Sequence, residues 1–200
     1  MTNPRIEFFD SIATKWDGWI DPIETQQILK DGLKRFSLSP AETVVDMGCG
    51  TGNLTQSILS ILGPAGSVFA VDISPNMLKI AQQKIPDQRV RWINTDAANL
   101  PMQNETVDRA VFYSVWPHFH HPEEVIKECW RYLKPKAFFH IWHSDSKDTI
   151  NRIHTNAGVQ VQSDILLPAI DLVDMIKRQG FKILDLVDDE KMYLITGRKN

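Results

Sequence analysis

Cysteine is scarce in this chain, with two in 200 residues. Cys49 falls in a glycine-rich turn and Cys129 in a helical pattern, so no structural disulfide is expected and a disulfide-stapled secreted scaffold is excluded. Long apolar runs are missing as well. No stretch approaches the roughly 20 residues that a membrane helix needs, and no signal-peptide pattern opens the chain. Basic runs are absent and the formal net charge is -3, which leaves no electrostatic footprint for nucleic acid. There is no internal repeat and no low-complexity segment. These absences lead us to expect a soluble, cytoplasmic protein with one domain over residues 1–200, long enough to bury a full core.

What is present is an alternation of short apolar strands and amphipathic helices. After two N-terminal helices within residues 1–40, strands are expected at 43–47, 67–72, 89–94, 107–113 and 137–142. Helices at 53–62, 75–85 and 122–133 lie between them. An irregular insertion over 143–167 precedes a helix at 168–179 and two closing strands, 181–187 and 191–198. Asp21-Pro22 and Ser74-Pro75 open helices, with proline at the first helical position. Ile23, Ile28, Leu29, Leu33 and Phe36 are expected on the inner face of the second helix. Strand–helix alternation argues for an α/β fold with a doubly wound, mostly parallel sheet. The closing pair is too tightly joined for a crossover helix, so the last strand should be antiparallel.

The stretch from Val44 to Leu54 carries the first chemistry. It reads as a buried strand, a turn with Gly48, Gly50 and Gly52, and a helix that Thr51 or Asn53 would cap. A dinucleotide fingerprint needs a later third glycine, and residues 53–55 supply none. Asp46 at the strand end would repel a pyrophosphate and suits a cationic ligand. Asp72 ends the next strand, at the spacing where a doubly wound fold places a carboxylate for ribose hydroxyls. Asp96 ends the third. Each acid alone has an ordinary explanation as a turn or cap residue. Three at successive strand ends point to a ligand site.

The run from Asp46 to Gly52 resembles the D-x-G-x-G-x-G motif of class I (Rossmann-like) S-adenosylmethionine-dependent methyltransferases. Val71 to Leu78 is similar to the same family's V-D-x-S-x-x-M-L signature, and the resemblance extends over the chain from Phe9. It implies a seven-stranded sheet whose last strand inserts antiparallel, and a small-molecule acceptor methylated by in-line displacement. By resemblance, Asp72 would hold the ribose, while Ile73 and Met77 would flank the adenine. Asp96 would accept from the adenine amine and Ala97 would donate to the ring. Gly48, Gly50 and Gly52 would bring backbone to the methionine portion, with Asp46 near its ammonium. Trp16 and Tyr113 complete the expected cofactor contacts. Phe9-Asp10 with Ala13, Trp16 and Asp17 is similar to the family's N-terminal lid; the alternative is an edge helix permanently packed on the domain. A homodimer is the expected assembly.

The family members that methylate nucleobase amines or glutamine carry N/D-P-P-Y/F/W after the fourth strand. This chain has Ser114-Val115-Trp116-Pro117 there, which favours small-molecule acceptors. All six histidines lie between residues 118 and 154. His118 follows the fourth strand, His143 ends the fifth, and His154 lies in the insertion with Asp145 and Asp164. Three readings stay open: surface and capping histidines, a general base among His118 and His143, or a transition-metal site of His118, His143 and His154. No compact motif such as H-E-x-x-H supports the metal. A non-catalytic S-adenosylmethionine sensor or partner subunit is the rival to an enzyme. A nucleotide-binding oxidoreductase is disfavoured by the glycine spacing and by Asp46.

Overall fold

The computed structural model describes residues 3–19 and 21–200. Met1, Thr2 and Ile20, part of the expected N-terminal lid or edge segment 1–40, lie outside the described residues. The chain packs as two compact units, residues 1–95 and 96–200. Its strands follow the order β3-β2-β1-β4-β5-β7-β6 of a seven-stranded sheet.

In the first unit, β1 (Thr43–Met47), β2 (Ser67–Asp72) and β3 (Val90–Asn94) are parallel. Asp72 stands opposite Asn94. Val44, Val45, Val68 and Ala70 are fully buried, as suits the near-continuous apolar strands of a parallel sheet. Helices α3 (Asn53–Leu59) and α4 (Pro75–Lys84) make the crossovers. The Ser74 side chain caps α4 by accepting from Met77 N.

At the N-terminus, the expected single helix splits into α1 (Pro4–Ile12) and a 3-10 turn, Ala13–Gly18. The next helix, α2 (Pro22–Phe36), is capped by Asp21, which accepts from Ile23 N and Glu24 N. Its buried face is narrower than expected: Leu29, Leu33 and Phe36 point inward, whereas Ile23 is 81% exposed and Ile28 lies at the margin.

The cap of α3 departs from expectation. Neither Thr51 nor Asn53 caps it, because both side chains are engaged by Asp17. Gly52 takes the cap position at φ 85° instead. A Cβ there would sit 2.8 Å from Ile85 Cδ1 and 3.3 Å from Ala81 Cβ. Gly52 is therefore required by backbone conformation and by close packing together.

In the second unit, β4 (Val107–Tyr113) pairs parallel with β5 (Leu133–His143). The last strand, β7 (Tyr193–Lys199), lies antiparallel between β5 and β6 (Phe181–Asp188). Gly197 faces Phe139 across this pairing, and a Cβ on it would fall 2.2 Å from the Phe139 ring. Helix α5 (Pro122–Tyr132) precedes β5, and α7 (Ala169–Arg178) precedes β6.

The stretch 143–167 is more ordered than the sequence indicated. His143 belongs to β5, and Lys147–Thr155 forms a further helix, α6, capped by Ser146 through Thr149 N. Only Ile150 of α6 is buried, so the apolar periodicity that reveals a helix is weak there. Residues 156–168 are irregular but anchored. Val161 and Leu166 are buried, and Asn151 clamps Leu166 through both its N–H (2.8 Å) and its carbonyl (3.0 Å). Among the described residues, no helix is long and apolar enough to cross a membrane.

Candidate functional site

The glycine turn after β1 is tied to the end of β2. Gly48 N and Cys49 N both donate to the Val71 carbonyl, at 2.8 and 2.9 Å. The Asp72 carboxylate then braces two loops at once: Oδ2 accepts from Gly50 N and Oδ1 from Ser74 N, each at 2.8 Å. Asn94 holds the same corner from β3, donating to the carbonyls of Asp72 (3.0 Å) and Ile73 (2.9 Å). Gly50 has φ 53°, and among the described residues the one atom near its absent Cβ is Trp16 Nε1 at 3.8 Å. Its backbone is thus bare on the side that Trp16 overlooks. Met77 is buried behind Ser74, and Ile73 is half-buried.

Asp46 sits beneath this turn with 1% of its surface exposed, bonded to Thr55 Oγ1 at 2.5 Å. Burial drives its carboxyl up to about 7, the Thr55 bond opposes that, and the nearby Asp72 charge adds to the rise. The Cys49 thiol is raised well above its usual range by burial and by the same two carboxylates, which makes it inert. An acid held this high stands ready for a positive partner.

The N-terminal segment is fastened to the turn by two acids. Asp17 accepts from Thr51 Oγ1 (2.5 Å), Asn53 Nδ2 (3.0 Å) and Lys84 Nζ (2.8 Å). Burial pushes the Asp17 carboxyl up, but the bonds from Lys84, Thr51 and Asn53 outweigh it and hold the group below its ordinary value. Asp10 accepts from Ser74 Oγ (2.5 Å) and Asn76 N (3.0 Å). Each acid thus reaches one of the two loops that the sequence assigned to the cofactor. Sequence reasoning named Asp10 and Asp17 as pattern letters without giving them a task; no local signal shows a contact 34 or 64 residues away.

In the second unit, Asp96 is exposed and accepts from Ala98 N at 2.9 Å, closing a turn. Ala97 is buried. Tyr113 at the end of β4 leans on Trp142, with ring centroids 4.5 Å apart, and shares a 2.9 Å hydrogen bond with Ser144.

The six histidines separate into three groups. His120 and His121 are exposed before α5. His140 is buried between Arg109 (2.9 Å) and Thr196 (3.0 Å), and burial followed by the Arg109 charge holds it well below its ordinary value. It is therefore a neutral structural imidazole. His118, His143 and His154 form the third group, together with Asp164. His118 Nδ1 lies 2.7 Å from Asp164 Oδ2, and the His118 and His154 rings are 4.9 Å apart. Burial first, then the proximity of His118 and His154, pushes His143 down to about 3. Among the described residues, no three His, Cys, Asp or Glu groups are arranged to hold a metal ion.

A family described as a methyltransferase domain matches residues 45–141. The ubiquinone/menaquinone biosynthesis C-methyltransferase of Ectopseudomonas mendocina is 32% identical over 64% of this chain and 53% of its own length. The chain thus spans about half the length of that relative. The 2-phytyl-1,4-naphtoquinone methyltransferase of Trichormus variabilis is 26% identical over 90% of the chain and 87% of its own length. A solved structure, an S-adenosylmethionine-dependent methyltransferase of Thermotoga maritima, shares the fold with a TM-score of 0.73 at 20% identity, covering 97% of this chain and 99% of that one. The matching methyltransferase domain covers residues 45–141, and this strand order, with a glycine turn braced by the acid that ends β2, is the Rossmann-like fold of the solved S-adenosylmethionine-dependent methyltransferase.

Proposed function

We propose that the protein transfers the methyl group of S-adenosylmethionine to a small-molecule acceptor. The observation that carries this reading is the pairing of a bare glycine turn with two acids, Asp46 and Asp72. The donor set suits the cofactor. Asp72 can turn an acceptor-only carboxylate to vicinal hydroxyls, and Asp46 gains its charge beside an ammonium or sulfonium. Gly48 and Gly50 present backbone to the methionine portion, and Trp16 covers it. The packing reason for Gly52 makes it a support of this turn. Ile73 and Met77 serve the adenine faces, with Asp96 and Ala97 for its amine and ring, and Tyr113 stands as a further contact. The bound cofactor supplies an electrophilic methyl already activated by the sulfonium charge, so the protein's work is alignment and exclusion of water.

Quinone methyltransferases among the relatives make a hydroxylated aromatic the first acceptor to try. Calorimetry should show S-adenosylmethionine binding with no comparable binding of NAD. Release of S-adenosylhomocysteine in the presence of reduced naphthoquinones should then separate an enzyme from a sensor. Binding without release would favour the sensor, and preferential NAD binding would sink the reading. Sedimentation at micromolar concentration tests the homodimer.

A further inference from the structure

Four side chains of the first unit close on one another beside the glycine turn: Asp17, Thr51, Asn53 and Lys84. Both oxygens of the Asp17 carboxylate are used. Oδ1 accepts from the Thr51 hydroxyl (2.5 Å) and the Asn53 amide (3.0 Å), and Oδ2 from the Lys84 ammonium (2.8 Å). Two neutral donors and one cation thus converge on a single oxyanion. All three donors are side chains, and no main-chain N–H takes part. Such a set does not specify a carboxylate. Any small oxyanion with two or more oxygens satisfies it.

Donors and acceptor belong to parts of the unit that are built differently. The donors stand on its frame. Thr51 is buried, Asn53 opens α3, and Lys84 is the last residue of α4. Lys84 also donates to the Asn53 side-chain oxygen at 2.8 Å, so these two hold each other without Asp17. The acceptor comes from the short 3-10 turn Ala13–Gly18, 67 residues before Lys84. Directly after Asp17, Gly18 is exposed, and no atom of the described residues lies within 4 Å of its Cβ position. The Asp17 side chain is 37% exposed and that of Lys84 27%, so solvent ions reach the pair. Were Asp17 to leave, the frame would keep an ammonium, an amide N–H and a buried hydroxyl aimed at one place. A buried hydroxyl without an acceptor is costly, which favours either the return of Asp17 or the entry of another anion.

We propose that Thr51, Asn53 and Lys84 form a phosphate-binding site that Asp17 fills from within, so that the N-terminal segment and a phosphate group compete for the same donors. A phosphate brings more acceptor oxygens and more charge than a carboxylate, and a lysine ammonium binds it as a point charge. With Asp17 in place the segment is fastened at two points. With phosphate in place only the Asp10 bonds to Ser74 and Asn76 remain. The consequence for cofactor choice rests on the S-adenosylmethionine reading above. A doubly wound fold seats a dinucleotide's phosphates at its glycine turn, whereas S-adenosylmethionine carries none. Asp17 therefore tolerates the one cofactor and must be displaced by the other, which makes it a specificity-determining residue.

The test uses full-length, untagged wild type, Asp17→Ala and Asp17→Ala/Lys84→Met, titrated by calorimetry with inorganic phosphate and with ADP at constant ionic strength. In the wild type only the open fraction binds, and apparent affinity is reduced by that fraction. Phosphate should bind Asp17→Ala at least about tenfold more tightly than wild type, and adding Lys84→Met should remove the gain. A gain for ADP as well would identify nucleotide phosphates as ligands, and a gain for phosphate alone the free ion; either supports the site. In the wild type, amide exchange over residues 9–19 should accelerate as phosphate replaces chloride. That measurement decides the matter should Asp17→Ala fail to fold.

A folded Asp17→Ala with no gain in phosphate affinity would overturn the site, as would a gain that survives Lys84→Met. Identical wild-type exchange in phosphate and in chloride would overturn the competition. Wild type that fails to bind S-adenosylmethionine, while Asp17→Ala gains phosphate, would remove the cofactor reading and leave the anion site standing. S-adenosylmethionine bound with no phosphate gained would remove the anion site alone.

Discussion

Replacing Asp46 by Asn should remove a pH dependence that the wild type carries in its fold. The carboxyl is buried and raised from an ordinary 3.8 to about 7. Between those values the folded protein holds a proton that the unfolded chain has released. Stability therefore falls as pH rises toward 7 and levels off above it. Each pH unit well inside that window is worth about 1.4 kcal/mol, and because the group is half titrated at its pKa the loss between pH 5 and pH 7 is about 2 kcal/mol from this one group. Asn keeps an oxygen for the Thr55 hydroxyl and cannot ionise. Urea unfolding of ligand-free protein at several pH values isolates the effect as the difference between wild type and variant. The variant should gain about 2 kcal/mol relative to wild type from pH 5 to pH 7. Under the proposed function, a cationic cofactor beside Asp46 favours its carboxylate. Wild-type affinity for S-adenosylmethionine should then rise by up to about tenfold per pH unit below 7, with a proton released on binding, while the Asn variant shows neither. Parallel unfolding curves for the two proteins would mean that Asp46 is already ionised in the fold, and the reasoning would fail.

Asp72→Ala removes the acceptor for Gly50 N and Ser74 N; charge-assisted bonds of this kind are worth roughly 1.5–3 kcal/mol each when well shielded. Affinity for S-adenosylmethionine should drop at least about tenfold, and unchanged affinity by calorimetry in a folded variant would remove this carboxylate from the site. Asp17→Ala breaks the ties to Thr51, Asn53 and Lys84, so amide exchange over residues 9–19 should accelerate, and wild-type protection there should increase with cofactor. Equal protection in all three samples would mean an edge packed independently of that acid. Gly52→Ala meets Ile85 and Ala81 and should lower thermal stability by roughly 1–3 kcal/mol; Gly50→Ala faces Trp16 alone among the described residues and should weaken cofactor binding more than the fold. The reverse order of effects would show that the two glycines have been assigned each other's roles.

The parts of the fold that were legible in the sequence rest on local requirements. Gly48, Gly50 and Gly52 all have positive φ, and a turn of that shape admits few other residues. Pro22 and Pro75 behind Asp21 and Ser74 announce helix starts, because cap and first turn are neighbours in sequence. The cap of α3 was misread for the opposite reason. Thr51 and Asn53 have the right chemistry, but Asp17 competes for both from another part of the chain. Helix α6 was missed because its stability comes from a Ser146 cap and the single buried Ile150, which leaves little periodic signal.

The histidines show how far strand geometry carries and where it stops. His140 and His143 are three residues apart on β5, and successive side chains of a strand alternate between faces. They must therefore lie on opposite sides of the sheet. One pairs with Thr196 and the other with Tyr193, the residues directly across on β7. A structural imidazole and a member of the candidate site thus come from a single strand, and alternation alone separates them. No comparable rule brings His154 to His118. Their meeting depends on α6 and on the segment behind it, where Val161 and Leu166 enter the core and turn the intervening Asp164 inward. In sequence, Asp164 is an acid beside an apolar run, Ile165-Leu166-Leu167, inside a stretch that looks like loop. The burial of its neighbours, together with the Asn151 clamp, brings that acid against the rings of two histidines, through its carboxylate to His118 and its carbonyl to His154.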